Sequence, residues 1–280
     1  MKKTALFLIF AMLVALLNGC AGQAETADIA ATTLPVYQFT SMLVKDTGLT
    51  VTRLVTESVS CLHDYTLNVS QVKAAEAAKL IVMNGAGLED FMADLLKGKH
   101  VIDASSGIAL LEGDHEADPH IWLSVTNAIA MAKNIYRGLC DAYPEHKETI
   151  DKNMTALMTQ LSQLDNYAKQ KLKNLSCRDL ITFHDGFAYF AQDFDLNILA
   201  TVEEESGAEA SSQELIELIE LVRSHDVLGI FMEENGSDSA AKTISVETGV
   251  NLYILKMAMS GEDYFAAMYH NIDTIWEALR

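Results

Sequence analysis

Apolar residues in this chain follow two rhythms. Short β-branched or apolar runs stand at Ile29–Thr33, Val51–Thr56, Leu80–Asn84 and His100–Asp103, and again at Leu180–His184, Asn197–Val202, Leu228–Glu233 and Leu252–Leu255. Each is followed by a stretch patterned as a helix, so strands and helices alternate, and that alternation predicts parallel sheets with helices on both faces. Between the two groups of runs, Lys147–Cys177 contains no Gly or Pro. Its Ile150, Met154, Leu157, Leu161, Leu164, Leu172 and Leu175 fall at mostly three- and four-residue steps, the period of a helix with one buried face. At 1.5 Å per residue such a helix runs roughly 45 Å, long enough to cross the back of both halves and to restrict hinge bending between them. The predicted architecture is α/β: two lobes, each a mainly parallel sheet flanked by helices, joined by a long backbone helix. The expected boundaries are 29–146 for the first lobe, 147–177 for the linking helix and 178–280 for the second lobe.

The start of the chain has another character. Met1-Lys2-Lys3 precedes an unbroken apolar run from Ala5 to Leu17. That run is shorter than the roughly 20 residues a bilayer-spanning helix needs, and it has the length of a signal-peptide core. It ends in Leu17-Asn18-Gly19-Cys20, which resembles a bacterial lipobox. The resemblance implies that residues 1–19 are removed, that Cys20 is lipidated, and that residues 20–28 form a small polar tether. The expected location is extracytoplasmic, held to the bacterial cell membrane by acyl chains that each contribute about 0.8 kcal/mol per buried CH₂.

Composition narrows the function. With 50% hydrophobic and 21% charged residues in 280, and only 3 prolines and 15 glycines, the chain is neither disordered nor low in complexity. Lys+Arg 20 against Asp+Glu 39 gives a net charge of −19. So acidic a surface repels phosphate backbones, and no nucleic-acid partner is expected. A cation is a better match. Of the four cysteines, Cys61, Cys140 and Cys177 would remain beside the lipidated Cys20, and the spacing does not fix which of them pair, if any.

Three of the eight histidines share one kind of position. His63 follows the run at Val51–Thr56, His184 closes the run at Leu180, and His120 opens a helix in Asp118-Pro-His-Ile-Trp122. In open α/β sheets, ligand sites form beyond the carboxyl ends of the strands. Two histidines from different lobes, each past such an end, would face one another across an interlobe cleft, and a third from a helix start would complete a set of nitrogen ligands. His100, His146, His225 and His270 lie in surface or helix-capping contexts, and His115 sits in an acidic connection as a weak outer contact at most. Cys61, two residues before His63, is in reach to be a thiolate ligand, but on a strand-end loop it reads mainly as a small side chain. No H-E-x-x-H, Cys-x-x-Cys or nucleophile-elbow pattern occurs, and Asn84-Gly-Ala-Gly-Leu88 reads as a tight strand-to-helix turn.

Several segments together resemble the zinc/manganese class of solute-binding lipoproteins that serve metal ABC importers. They are Thr32-Thr-Leu-Pro-Val-Tyr37, His63-Asp-Tyr65, Asn84-Gly-Ala-Gly-Leu88, Asp118-Pro-His-Ile-Trp-Leu123, His184-Asp-Gly-Phe-Ala-Tyr-Phe190, Glu205-Ser-Gly-Ala-Glu209, Ile230-Phe-Met-Glu233 and Glu247-Thr-Gly249. The resemblance covers nearly all of the chain after the tether. It implies one metal between two lobes, with His63, His120 and His184 as ligands, and a monomer that passes Zn(II) to a membrane ABC permease rather than an enzyme. Manganese-type members commonly carry Glu at the third of these positions, so His184 points to Zn(II) ahead of Mn(II). Three imidazoles also suit zinc better on chemical grounds. Asp64 and Asp185, beside two of the ligands, are candidates to orient nearby donors.

Two departures from the family pattern matter. The long His/Asp-rich loop before the Asp-Pro-His segment is reduced to Gly113-Asp-His-Glu-Ala-Asp118. Where the family often has Leu-Asp after the last strand, this chain has Leu255-Lys256-Met257. An ammonium there cannot serve as fourth ligand while protonated, which leaves water, Glu205, Glu233 or Glu234. Alternative readings are a manganese or iron importer component and a surface-anchored zinc hydrolase, since three histidines and a water are also a catalytic set. Cell adhesion has no sequence feature of its own here.

Overall fold

The structure, a computed structural model, describes residues 27–57, 62, 65–112, 117–203, 210–234 and 239–280. The signal segment, residues 20–26 of the tether with Cys20, and Cys61, His63, Asp64, His115 and Glu205 lie outside the described residues. The first half runs β1 (Ile29–Ala31), α1 (Leu34–Leu43), β2 (Val51–Arg53), α2 (Val69–Ala77), β3 (Leu80–Met83), α3 (Ala93–Leu96), β4 (His100–Asp103) and α4 (Val125–Ala142). After α5 (Lys147–Lys171) come β5 (Asp179–His184), α6 (Ala188–Phe194), β6 (Asn197–Glu203), α7 (Ser212–Ser224), β7 (Gly229–Glu233), α8 (Ser239–Thr248), β8 (Asn251–Leu255) and α9 (Tyr264–Leu279). The eight strands among the described residues fall where the apolar runs predict them.

They form two four-stranded sheets, β2-β1-β3-β4 and β6-β5-β7-β8, in which every pairing is parallel. The two halves thus repeat one strand order. Parallel sheets are covered on both faces, which is why their strands read as continuous apolar runs rather than as alternations. Ile29 and Ala31 of β1 face the central core while Ala30 packs on the outer side with Leu54, Ala75 and Met92. In the second sheet, Ile181, Phe183, Ile230 and Met232 face an outer cluster with Leu218, Val222 and Ile244. Leu180 and Phe231 face the central core instead.

That central core is shared between the halves. It joins Phe39, Trp122 and Ile135 from the first to Phe190, Tyr264 and Met268 from the second, with Ile150, Leu157, Leu161 and Leu164 of α5 between them. The linking helix ends at Lys171 rather than Cys177. Arg178 explains the stop, because its Nη2 donates to the carbonyls of Leu172 (3.3 Å) and Lys173 (3.1 Å). The chain then turns away with Ser176 N–H donating to Leu279 O at 2.8 Å. Among the described residues no helix is long and apolar enough to cross a membrane, and Cys140 and Cys177 are free thiols.

Candidate metal centre

Strand order decides which side chains meet. In each sheet the connection reverses direction between the first and third strands, and the crevice beyond the carboxyl ends of such strands is where ligands bind. In the second sheet those strands are β5 and β7. Their last residues, His184 and Glu233, share the face that Leu180 and Phe231 present to the central core, because alternate residues of a strand point the same way. Both are buried, and His184 Nδ1 lies 3.2 Å from Glu233 Oε1.

His120 reaches the same point from the first half. It precedes the short turn Ile121–Leu123 that leads into α4. Asp118 fixes it twice: one carboxylate oxygen accepts from the His120 backbone N–H and contacts the ring Nδ1, both at 2.8 Å. A carboxylate at Nδ1 holds the proton there and leaves the Nε2 lone pair for a ligand. Trp122 anchors the segment on its other side, with Nε1–H donating to Met257 O at 2.6 Å and its own carbonyl accepting from Tyr264 Oη at 2.8 Å. Tyr189 Oη donates to Asp118 O at 2.8 Å.

The outcome is a perpendicular pair of imidazoles, their centroids 4.9 Å apart and their Nε2 atoms at 3.1 Å. Two nitrogens bound to one tetrahedral zinc at 2.0–2.1 Å stand about 3.3 Å apart. The observed spacing is therefore close to one edge of such a tetrahedron. A buried carboxylate stands at the Nδ1 side of each ring. Together Asp118 and Glu233 would balance the charge of a divalent ion without taking the place of a nitrogen on it. Gly186 lets the rings approach: a Cβ there would lie 2.9 Å from His184 Cδ2 and 3.3 Å from His120 Cδ2.

The first sheet contributes scaffolding at its own reversal point. Glu89 is buried and accepts from Thr32 Oγ1 at 2.6 Å, Asn84 N–H at 2.8 Å and Gly85 N–H at 2.9 Å. Asn84 Nδ2 in turn donates to Pro119 O at 3.1 Å, next to His120. Gly85 takes a φ of +82°, and a Cβ there would collide with the Asp103 carboxylate and Ser105 Oγ, so only glycine fits. Burial outweighs the three donors and pushes the Glu89 carboxyl up to about 7.

Of the three predicted ligands, the structure brings His120 and His184 together, and His63 lies outside the described residues. Among the described residues no set of three or more His, Cys, Asp or Glu side chains forms a metal-binding group. Two of the candidate fourth ligands are placed. Glu233 stands behind His184 rather than on its Nε2 side. Glu234 is exposed and pairs with Lys256 Nζ at 3.7 Å. The Lys256 ammonium thus turns to a surface carboxylate, while its backbone N–H and carbonyl are both held by the Asn271 carboxamide at 2.8 and 2.7 Å. The sequence singles out neither the Asp118–His120 contact nor the role of Glu89. The Asp-x-His spacing was the available signal for the first.

Comparison with known proteins places the chain. The family described as zinc-uptake complex component A, periplasmic (ZnuA), matches residues 29–278. A curated relative, the zinc-binding lipoprotein AdcA of Streptococcus pneumoniae (strain ATCC BAA-255 / R6), is 32% identical over 307 aligned positions, covering 98% of this chain and 60% of its own length. The chain therefore spans about 60% of that protein. Among solved structures, a crystal structure of ZnuA superimposes with a TM-score of 0.81 at 27% identity, covering 91% of this chain and 100% of the other. FpvC of Pseudomonas aeruginosa, a solute-binding protein in complex with Mn²⁺, gives a TM-score of 0.81 at 27% identity over 91% of this chain and 98% of its own. With two parallel sheets that repeat one strand order, an imidazole pair at their junction and a family match over almost all of the described residues, this chain belongs to the ZnuA family.

Proposed function

We propose that the protein is an extracytoplasmic solute-binding protein that captures Zn(II) between its lobes through His63, His120 and His184 and delivers it to a membrane ABC permease. In this reading it works as a monomer, held to the membrane through a lipidated Cys20. One observation carries the proposal: two imidazoles from different halves hold their Nε2 atoms 3.1 Å apart, each with a buried carboxylate at its far nitrogen. That pairing suits a borderline-soft ion of tetrahedral habit. The name of the pneumococcal relative, a zinc-binding lipoprotein, points the same way. Glu233 stands behind a ring rather than beside an open coordination position, so the arrangement favours holding an ion over activating a water, and the protein is read as a binding protein and not an enzyme.

Isothermal titration of the chain from Cys20 onward tests this directly. Zinc is expected to bind at one site per chain, and combined His63→Ala, His120→Ala and His184→Ala substitution to abolish binding while the fold persists by circular dichroism. Zinc binding unchanged in the triple variant would sink the proposal. A manganese reading has the Mn²⁺ complex of FpvC behind it, and competition of Mn(II) against bound Zn(II) separates the two. Displacement at equimolar Mn(II) would favour manganese.

A further inference from the structure

The residue after Lys256 lies beside the imidazole pair. Met257 is buried, and its backbone carbonyl is pinned by Trp122 Nε1–H at 2.6 Å, within the segment that carries His120. Its side chain reaches the imidazole pair. The point where a Gly186 Cβ would stand is 2.6 Å from Met257 Cε, 2.9 Å from His184 Cδ2 and 3.3 Å from His120 Cδ2. The methyl and both ring carbons therefore surround one small space. In an imidazole, Cδ2 is bonded to Nε2, so the Met257 methyl stands beside the edge of each ring that carries Nε2. Lys256 points elsewhere, toward Glu234. The segment that follows the last strand thus sends a thioether, not a carboxylate, toward the imidazole pair.

We propose that Met257 is a specificity-determining residue that closes one face of the metal site with an apolar thioether and so selects against Mn(II). This rests on the reading of the imidazole pair as the metal site. The chemistry is direct. Mn(II) stands low in the affinity order for divalent ions and depends on carboxylate, carbonyl and water oxygens, usually six of them. A buried Met257 denies it both an oxygen donor and room for water at that face. Tetrahedral Zn(II) loses little, because imidazole nitrogens already satisfy it. Asp118 and Glu233 do not replace the missing oxygen, since each stands at the Nδ1 side of its ring.

The test is the ratio of Mn(II) to Zn(II) affinities, measured by isothermal titration and competition on the chain from Cys20 onward, for the parent and three variants. Met257→Glu brings an oxygen donor to the covered face and should raise the ratio at least tenfold. Met257→Gln, neutral and close in volume, should shift it in the same direction and carries the test if the glutamate variant fails to fold. Met257→Leu keeps the face apolar and should leave both the ratio and the zinc affinity within threefold of the parent. An unchanged ratio in a folded Glu or Gln variant overturns the inference. So does a tenfold loss of zinc affinity in the Leu variant, which would make the sulfur a ligand. Both results leave the zinc reading intact provided the parent binds zinc; a parent that binds none removes that reading itself.

Discussion

Gly186 shows how one missing carbon shapes a site. Two imidazole edges and the Met257 methyl converge on the space its Cβ would fill, and protein interiors have no slack at that scale. In Gly186→Ala, Met257 is flexible enough to move aside, but the rings are not: Asp118 holds one at Nδ1 and the backbone beside it, and Glu233 stands against the other. The expected result is a folded protein whose His120 and His184 rings are spread, with zinc affinity reduced roughly 10- to 100-fold, as for loss of a supporting contact at a metal. Titration alongside a thermal melt separates the two effects, and an Ala variant with parental zinc affinity would show that the rings have more freedom than their contacts imply. The roles of Asp118 and Glu233 follow the same logic. A residue's chemistry was visible in the sequence, but the direction from which it approaches a ring was not.

Among the elements, the strands were the most legible and the contacts at their ends the least. Each strand is short and covered on both faces, so its sequence is an apolar run bounded by turns, and that signal is local. The neighbouring positions of His184 and Glu233 are not local, since 48 residues, the strand β6 among them, separate them along the chain and only the β5–β7 pairing joins them. Glu89 is a similar case. The turn Asn84–Leu88 folds its carboxylate under the end of β1, where Thr32, Asn84 and Gly85 all donate to it. The linking helix was overextended by its apolar steps at Leu172 and Leu175, because capping by Arg178 depends on a side chain that follows the helix. Glu89 also makes a prediction for the first sheet. Burial raises its carboxyl from 4.5 to about 7, so the folded state holds this proton more tightly than the unfolded chain does. The associated stability is fully present below pH 4.5 and is lost as pH rises through about 7. It amounts to roughly 3 kcal/mol at 1.36 kcal/mol per unit. Urea unfolding of the parent and Glu89→Gln at several pH values should show the parent losing stability relative to the variant over that interval; parallel profiles would mean the carboxyl titrates normally.

At the scale of the whole molecule, the two halves are tied by more than α5. Ser124 Oγ donates to Asp193 at 2.7 Å, Arg53 Nη1 donates to Gly261 O at 2.7 Å, Leu34 N–H to Met259 O at 3.1 Å and Tyr264 N–H to Gln38 Oε1 at 2.7 Å. Beneath these ties lies one continuous core. Hinge closure of the kind seen where lobes share a thin interface is not expected here. X-ray scattering curves with and without zinc should superimpose, and a clear contraction on zinc addition would show that the ties yield. The shared core also bears on attempts to divide the molecule. Either half produced alone would turn Trp122 or Phe190 and Tyr264 toward water, and aggregation is the expected fate of such surfaces. Chimaeras between this chain and its relatives should accordingly exchange whole proteins or single loops, because a cut at the midpoint parts side chains that fold only in each other's company.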